Sequence, residues 1–278
     1  MNKHAVAFII IAYHPEPQGF ARLLKRLPPK DVIIIDNGQT LAAKDAGRAT
    51  VLSQTKNVGY ATAANVGLRH AIAHGYEWYV ILNQDVLMTR TGGEDLIHAI
   101  VSQEPCIAGP FLGRLDPKRW TTILTSTPGV DERSLKKVSK MPVSTPGVEY
   151  VSGSCMAIHR NVVEKIGYMY EPYFLYYEEA DYCVRAARAG FPIRRIDVPG
   201  LSHEESVSLG RGSVAHQYYL ARNHLLFVSR LAPFAVQSYE CIRFPKTLSE
   251  HMIRKEWGAL LGIRDLLFRR FGPYGGQS

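Results

Sequence analysis

The chain is predicted to adopt an α/β fold, a mostly parallel central sheet flanked by helices with an amphipathic helical segment at its carboxyl end. Three observations carry this. Short apolar runs recur between segments of helical period. The runs are continuous rather than alternating, as in strands buried on both faces. Several of the breaks between elements also carry Gly, Pro or Asn. At 278 residues and 46% hydrophobic content, the sequence holds enough apolar material for one substantial core.

The elements follow in order. Val6 to Ala12 reads as the first strand, since Tyr13-His14-Pro15 ends the run too early for a signal peptide or a membrane span. Pro17 to Leu27 is helical, Val32 to Asp36 a strand, Leu41 to Ala46 helical and Val51 to Gln54 a strand. Tyr60 to His74 is a helix with a stripe of Ala64, Leu68, Ala71 and Ile72, and Trp78 to Asn83 is the next strand. Such alternation implies right-handed crossovers, with ligands bound beyond the carboxyl ends of the strands. Asp36 and Asp85, each at a predicted strand exit, would then face one crevice, although Asp36-Asn37-Gly38 also suits a plain turn.

After Asp85 the pattern changes. Gly92-Gly93 opens a short helix to about Val101, Cys106 to Leu112 and Thr121 to Leu124 read as strands, and Ser126 to Gly147 reads as a long loop over the site. Val148 to Ser152 resumes as a strand, Asn161 to Ile166 is a short helix, and Glu178 to Ala189 is a helix stopped at Gly190. Phe191 to Ile196 is a strand, and Ser213 caps a helix to about Leu231. The tail from Thr247 to Phe271 reads as one amphipathic helix, with Met252, Ile253, Trp257, Leu260, Leu261, Leu267 and Phe268 on its apolar face. A catalytic domain over 1–240, with halves of about 1–112 and 113–240, followed by a basic helix over 241–278, is the expected organisation.

Four scattered cysteines without a C-x-x-C pair indicate neither a zinc site nor a disulfide framework, and point to a reduced, cytoplasmic chain. The formal net charge is +8, and seven Lys or Arg against three acids lie between Cys241 and Ser278. Nucleic acid is excluded as the partner because phosphates would be repelled by strand-end carboxylates. Neither G-x-G-x-x-G nor G-x-x-x-x-G-K-[ST] occurs, which speaks against an oxidoreductase or kinase. The basic tail fits either a peripheral contact with the inner face of a membrane or docking on its own domain or a partner subunit.

Seven ordered segments carry a family resemblance: Ile35-Asp36-Asn37-Gly38, Asn57-Val58-Gly59-Tyr60-Ala61 with Ala64-Asn65-Val66-Gly67, Leu82-Asn83-Gln84-Asp85, Gly153-Ser154-Cys155-Met156, Phe174 to Asp181, His203, and Tyr218 to Asn223. Over roughly Val6 to Arg230 the chain resembles the inverting family 2 glycosyltransferases of the GT-A fold, in their bacterial rhamnosyltransferase-like branch. The resemblance implies that Asp36 contacts a pyrimidine base, that Asn57, Gly59 and Asn65 shape the nucleotide wall, and that Asn83-Gln84-Asp85 stands where the family has D-x-D. Asp85 and His203 would then hold Mg2+ or Mn2+, a hard cation suited to oxygen ligands.

Glu178 and Glu179 match an acidic pair of the family, with Glu179 the expected general base, Glu178 its partner and Asp181 an alternative. Asp181 also stands four residues before Arg185, a helical ion-pair spacing. Arg222 is expected at the diphosphate. The implied donor is dTDP-rhamnose, with a UDP-sugar as competitor, and the implied acceptor a cell-surface glycan or lipid-linked oligosaccharide. Asn83 and Glu179 depart from the family pattern, which keeps an inactive scaffold in play.

Overall fold

The computed structural model describes residues 5–124, 149–203 and 212–276. A seven-stranded sheet forms its centre. Its strands are β1 (Val6–Ala12), β2 (Val32–Asn37), β3 (Thr50–Gln54), β4 (Trp78–Asn83), β6 (Ile107–Gly109), β10 (Cys155–His159) and β11 (Ile193–Arg195), and their spatial order is β11-β6-β10-β4-β1-β2-β3. The first four strands pair in parallel, as does β11 with β6, whereas β10 runs antiparallel to both of its neighbours. Two small sheets complete the β structure. One pairs β5 (Val86–Leu87) with β12 (Ser202–His203), and the other is built from β7 (Leu112–Leu115), β8 (Thr122–Leu124) and β9 (Glu149–Val151).

Alternate side chains of the continuous apolar strands feed two cores, which is why those strands show no polar face. Ile9, Ile33, Ile35 and Ile81 pack with Ala61, Ala64 and Leu68 of α2 (Tyr60–Ala73). Phe8, Ile10, Ile34 and Val80 point the other way, onto Phe20 and Leu23 of α1 (Pro17–Leu24) and Leu96 and Ile100 of α3 (Gly92–Val101). The expectation of burial on both faces fails for β3, whose Val51 is exposed, because β3 is the sheet's edge. Leu41 to Ala46 is likewise shorter than expected, a single 3-10 turn over Ala43–Asp45.

Five further α-helices are described: α4 (Arg160–Ile166) and α5 (Glu178–Arg188) before β11, then α6 (Val214–Leu231), α7 (Phe234–Ile253) and α8 (Trp257–Leu267). The tail is therefore two helices and not one. The turn between them places Lys255 at φ 55, a left-handed conformation that a helix does not accept. The boundary expected at residue 240 also falls inside α7, which runs on through Pro245. Pro245 and the Cys241 one turn before it are exposed, so the carbonyl that loses its helical donor is open to water.

The last helix packs lengthwise on α6 through Gly258, Ala259, Gly262 and Ile263. A Cβ on Gly258 or Gly262 would collide with the Val214 or Tyr218 carbonyl, so the two glycines permit this close approach. All four cysteines are free, and only Cys241 is exposed. The loop expected over Ser126 to Gly147 lies outside the described residues. Among the described residues, no helix is long and apolar enough to cross a membrane.

Candidate active site

The strand register brings Asp36, Asn83, Asp85 and His203 to one edge of the sheet. Asp36 pairs with Ala12 and Asn83 with Ile11, so both lie at the carboxyl ends of parallel strands. The reversed strand β10 starts where β4 ends, and the Asn83 amide donates to the Ser154 carbonyl at 3.0 Å, which sets Gly153-Ser154 on the same edge. Asp85 occupies the turn between β4 and β5. His203 pairs with Val86, the residue after Asp85, so strand pairing brings the two stretches together across 118 residues of sequence.

A second ring of contacts closes this edge from α2. The Asn37 side chain donates to the Asn57 side-chain oxygen Oδ1 at 3.0 Å and accepts from the Val58 amide at 2.8 Å, and the same Asn57 oxygen accepts from the Gly59 amide at 2.9 Å. Gly59 has φ 83, and a Cβ there would sit 2.6 Å from both the Phe174 ring and its carbonyl oxygen. The next amide, Tyr60, donates to that carbonyl at 2.6 Å. Gly59 thus serves the seating of the Phe174 loop on the start of α2, where the nucleotide wall was expected.

That loop carries the acidic pair. Phe174, Tyr176 and Tyr177 all have positive φ, at 64, 69 and 77, a concentration of backbone strain that only surrounding contacts can hold. Asn223 supplies them by donating its amide to the carbonyls of Tyr173, Leu175 and Tyr176 at 2.9, 2.7 and 3.0 Å. Arg222 adds bonds to the Pro172 and Tyr173 carbonyls at 3.3 and 2.7 Å. The strained turn delivers Glu178 and Glu179 as the first two residues of α5.

Both glutamates bury one oxygen, Oε2, that meets no hydrogen-bond partner among the described residues. A carboxylate in that condition holds its proton more tightly, because burial penalises the anion more than the acid. Burial, reinforced by the neighbouring Glu179 charge, raises Glu178 well above its usual value. Burial also pushes Glu179 up to about 7, against the pull of the Glu179 and Tyr177 backbone amides. Of the two, Glu178 keeps its proton and Glu179 ionises near neutrality. For Glu178 burial outweighs repulsion within the pair.

Tyr60 links the glutamates to the strand edge. Its hydroxyl donates to the Gly153 carbonyl, and burial followed by the charges of Glu178 and Glu179 raises its proton affinity. Neither Tyr60 nor Asn37 was singled out from the sequence, although both stand inside the motifs Gly59-Tyr60-Ala61 and Asp36-Asn37-Gly38.

Five expected contacts take other forms. Asp36 is 4% exposed, and its carboxylate accepts from the Thr40 and Leu41 amides at 2.8 and 3.2 Å and from the Ser53 hydroxyl at 3.3 Å, so it fixes the turn after β2. Asn65 is fully buried and clasps the Met169 backbone on both sides, which ties α2 to a loop and leaves no amide for a nucleotide. Gln84 clasps the Tyr13 backbone in the same way, at 2.7 and 3.0 Å, and so joins the ends of β1 and β4.

Arg222 is also fully buried, with its guanidinium committed to carbonyls within the fold and unable to reach a diphosphate. Asp181 is paired with Arg185 and Arg230 at 2.7 and 3.3 Å and bonded to the Tyr173 hydroxyl at 3.0 Å. It anchors α5, and both of its oxygens are taken up by these partners.

Residues 9–167 match the family described as glycosyl transferase family 2. The chain belongs to that family. Like its relatives it is a glycosyltransferase. It is 28% identical over 231 residues to the low-salt glycan biosynthesis hexosyltransferase Agl10 of Haloferax volcanii, covering 78% of this chain and 74% of the relative. It is 24% identical over 246 residues to the dTDP-rhamnosyl transferase RfbF of Shigella flexneri, covering 83% of this chain and 81% of the relative.

A family 2 relationship fits the architecture as well. The mannosyltransferase PcManGT of Pyrobaculum calidifontis, solved with GDP-Man and Mn2+, superposes with a TM-score of 0.54 at 20% identity, over 84% of this chain and 68% of that one. GalNAc-T7, solved with UDP, GalNAc and Mn2+, gives 0.56 at 12% identity, over 90% of this chain and 57% of that one. The fold is GT-A.

Proposed function

We propose that this family 2 enzyme is a metal-assisted inverting glycosyltransferase that moves L-rhamnose from dTDP-rhamnose to a hydroxyl of a cell-surface glycan or lipid-linked oligosaccharide. The observation that carries the chemistry is the Glu178–Glu179 pair, Glu178 buried and Glu179 half-buried with one oxygen sealed off, in which the Glu179 carboxyl is pushed up to about 7 beside the carboxyl ends of the strands. A base tuned to the working pH suits proton removal from a sugar hydroxyl. Glu179 takes the acceptor proton as the acceptor oxygen bonds to the anomeric carbon. The bond from that carbon to the diphosphate breaks on the opposite face, its electron pair leaves with the nucleotide, and the configuration inverts. Glu178, protonated and buried beside it, keeps the single negative charge on Glu179.

The donor set at the β4 exit fits a hard divalent ion. Asp85 offers a carboxylate, and His203 enters the same small sheet one register position away. Among the described residues no three His, Cys, Asp or Glu side chains are grouped for a metal, and hard divalent ions often take further oxygen ligands from substrate phosphates and water. Asp85 and His203 would hold Mg2+ or Mn2+, which when bound would supply positive charge to offset that of the departing diphosphate. The rhamnosyl assignment draws support from RfbF and from an N-acetylglucosaminyl-diphospho-decaprenol L-rhamnosyltransferase of Mycobacterium tuberculosis, 24% identical over 265 residues.

A thermal-shift panel of dTDP-rhamnose, UDP-glucose, UDP-galactose, UDP-N-acetylglucosamine and GDP-mannose, with and without MnCl2, tests the reading. A ligand that prefers the native state raises its melting temperature. The expected result is a rise with dTDP-rhamnose that grows with Mn2+ and shrinks in Asp85→Asn. A response to UDP-sugars alone would transfer the donor assignment to them, and a metal-independent response would remove Asp85 from its role.

A further inference from the structure

The outer surface of the two last helices is neither core nor catalytic edge. On α7 the residues that dock on the body are Val236, Glu240 and Thr247. The opposite side of the helix carries Phe234, Ile242, Met252 and Ile253, which are 85%, 82%, 53% and 81% exposed. At about 100° per residue, these four side chains fall within one stripe along the twenty-residue helix. The α8 helix divides similarly. Gly258, Ala259, Gly262 and Ile263 face α6, while Trp257, Leu267 and Phe268 are exposed, with Phe271 just beyond.

Cations accompany these apolar groups. Lys246, Arg254, Lys255, Arg269 and Arg270 are exposed and form no salt bridge with a described residue, whereas Arg243 and Arg264 are satisfied by Glu250 and Asp265. Solvent-facing Phe, Ile and Trp beside unpaired Lys and Arg form the pattern of a surface that enters a lipid headgroup layer. A second copy of the chain is the poorer occupant, because a two-fold contact would set five cations against the same five.

We propose that the outer face of α7 and α8 seats on an anionic phospholipid surface. The inner face of α8 stays on α6 throughout, so the helix pair acts as a fixed foot. The inference is independent of which sugar nucleotide the enzyme uses.

Co-sedimentation of the full chain with phosphatidylcholine vesicles, with and without phosphatidylglycerol, tests it. The expected result is binding to the anionic vesicles only, weakened by salt. An Arg269→Glu/Arg270→Glu variant should bind about tenfold more weakly or worse, since each cation near such a surface contributes several-fold. An Ile242→Ser/Ile253→Ser variant, altered only at exposed positions, should lose binding while keeping the parent's melting temperature. Absence of binding by the parent, equal binding to neutral vesicles, or binding unchanged in both variants would overturn the proposal. So would a dimer in sedimentation equilibrium that Ile242→Ser/Ile253→Ser dissociates.

Discussion

Replacing Glu179 by Gln should inactivate the enzyme and at the same time stabilise it, but only above the pH at which the carboxyl of the unfolded chain ionises. Folding raises this group from 4.5 to about 7, chiefly by burial. Below pH 4.5 the carboxyl is protonated whether the chain is folded or not, and its ionisation has no effect on stability. Between 4.5 and 7 the unfolded chain has released a proton that the native state still holds, so stability falls as pH rises, and above 7 the penalty is complete. At about 1.4 kcal/mol per pH unit, this amounts to about 3 kcal/mol.

Glutamine is nearly isosteric and carries no charge, so Glu179→Gln should melt higher than the parent at pH 8, by about 6 °C at about 2 °C per kcal/mol. The difference should vanish at pH 4.5. Melting curves at pH 4.5, 6 and 8, read beside initial rates with a donor and acceptor, provide the assay. Loss of a general base should lower the rate by about a hundredfold or more. A variant that loses activity but melts at the parent's temperature at every pH would refute the claim that burial sets this proton affinity. A variant that stays active would remove Glu179 from the base role.

Three further outcomes follow from the loop and the helices. For the parent, the rate should rise with pH through an apparent value of about 7, because Glu179 must be ionised to accept a proton; a flat profile from pH 5 to 8 would contradict this. Asn223→Ala removes three bonds to the Tyr173, Leu175 and Tyr176 carbonyls and should lower stability by about 2–4 kcal/mol in urea titration, with kcat falling further than in the equally buried but remote Cys106→Ala. Gly59→Ala places a methyl group against Phe174 at a positive φ and should destabilise by about 2 kcal/mol or more, measured by thermal melting, while also disturbing the acidic pair.

Strands β1, β2 and β4 were readable because burial on both faces leaves a local trace, an unbroken apolar run. Glu178-Glu179 was readable as adjacent acids in a motif of the family resemblance. Asn65, Gln84 and Arg222 were not. Asn65 and Gln84 stood in motifs of the resemblance and Arg222 suited a diphosphate, yet each satisfies backbone groups between 49 and 104 residues away, and no local pattern encodes such a partner. Strand β10 escaped because five residues with one polar end look like any short apolar stretch. The break at Lys255 lacked a signal because a lysine in a left-handed turn carries none of the marks of glycine or asparagine.

The turn ahead of the acidic pair also bears on how the enzyme fails under heat. Its three left-handed residues are held in shape by a helix, α6, that is itself braced by α8, whereas the sheet draws on two separate apolar layers. Loosening the carboxyl-terminal helices would release the turn long before the strands part. Catalysis should therefore cease at a lower temperature than global melting, and a protease that nicks the chain near Lys255 should abolish turnover in a molecule whose sheet is still whole.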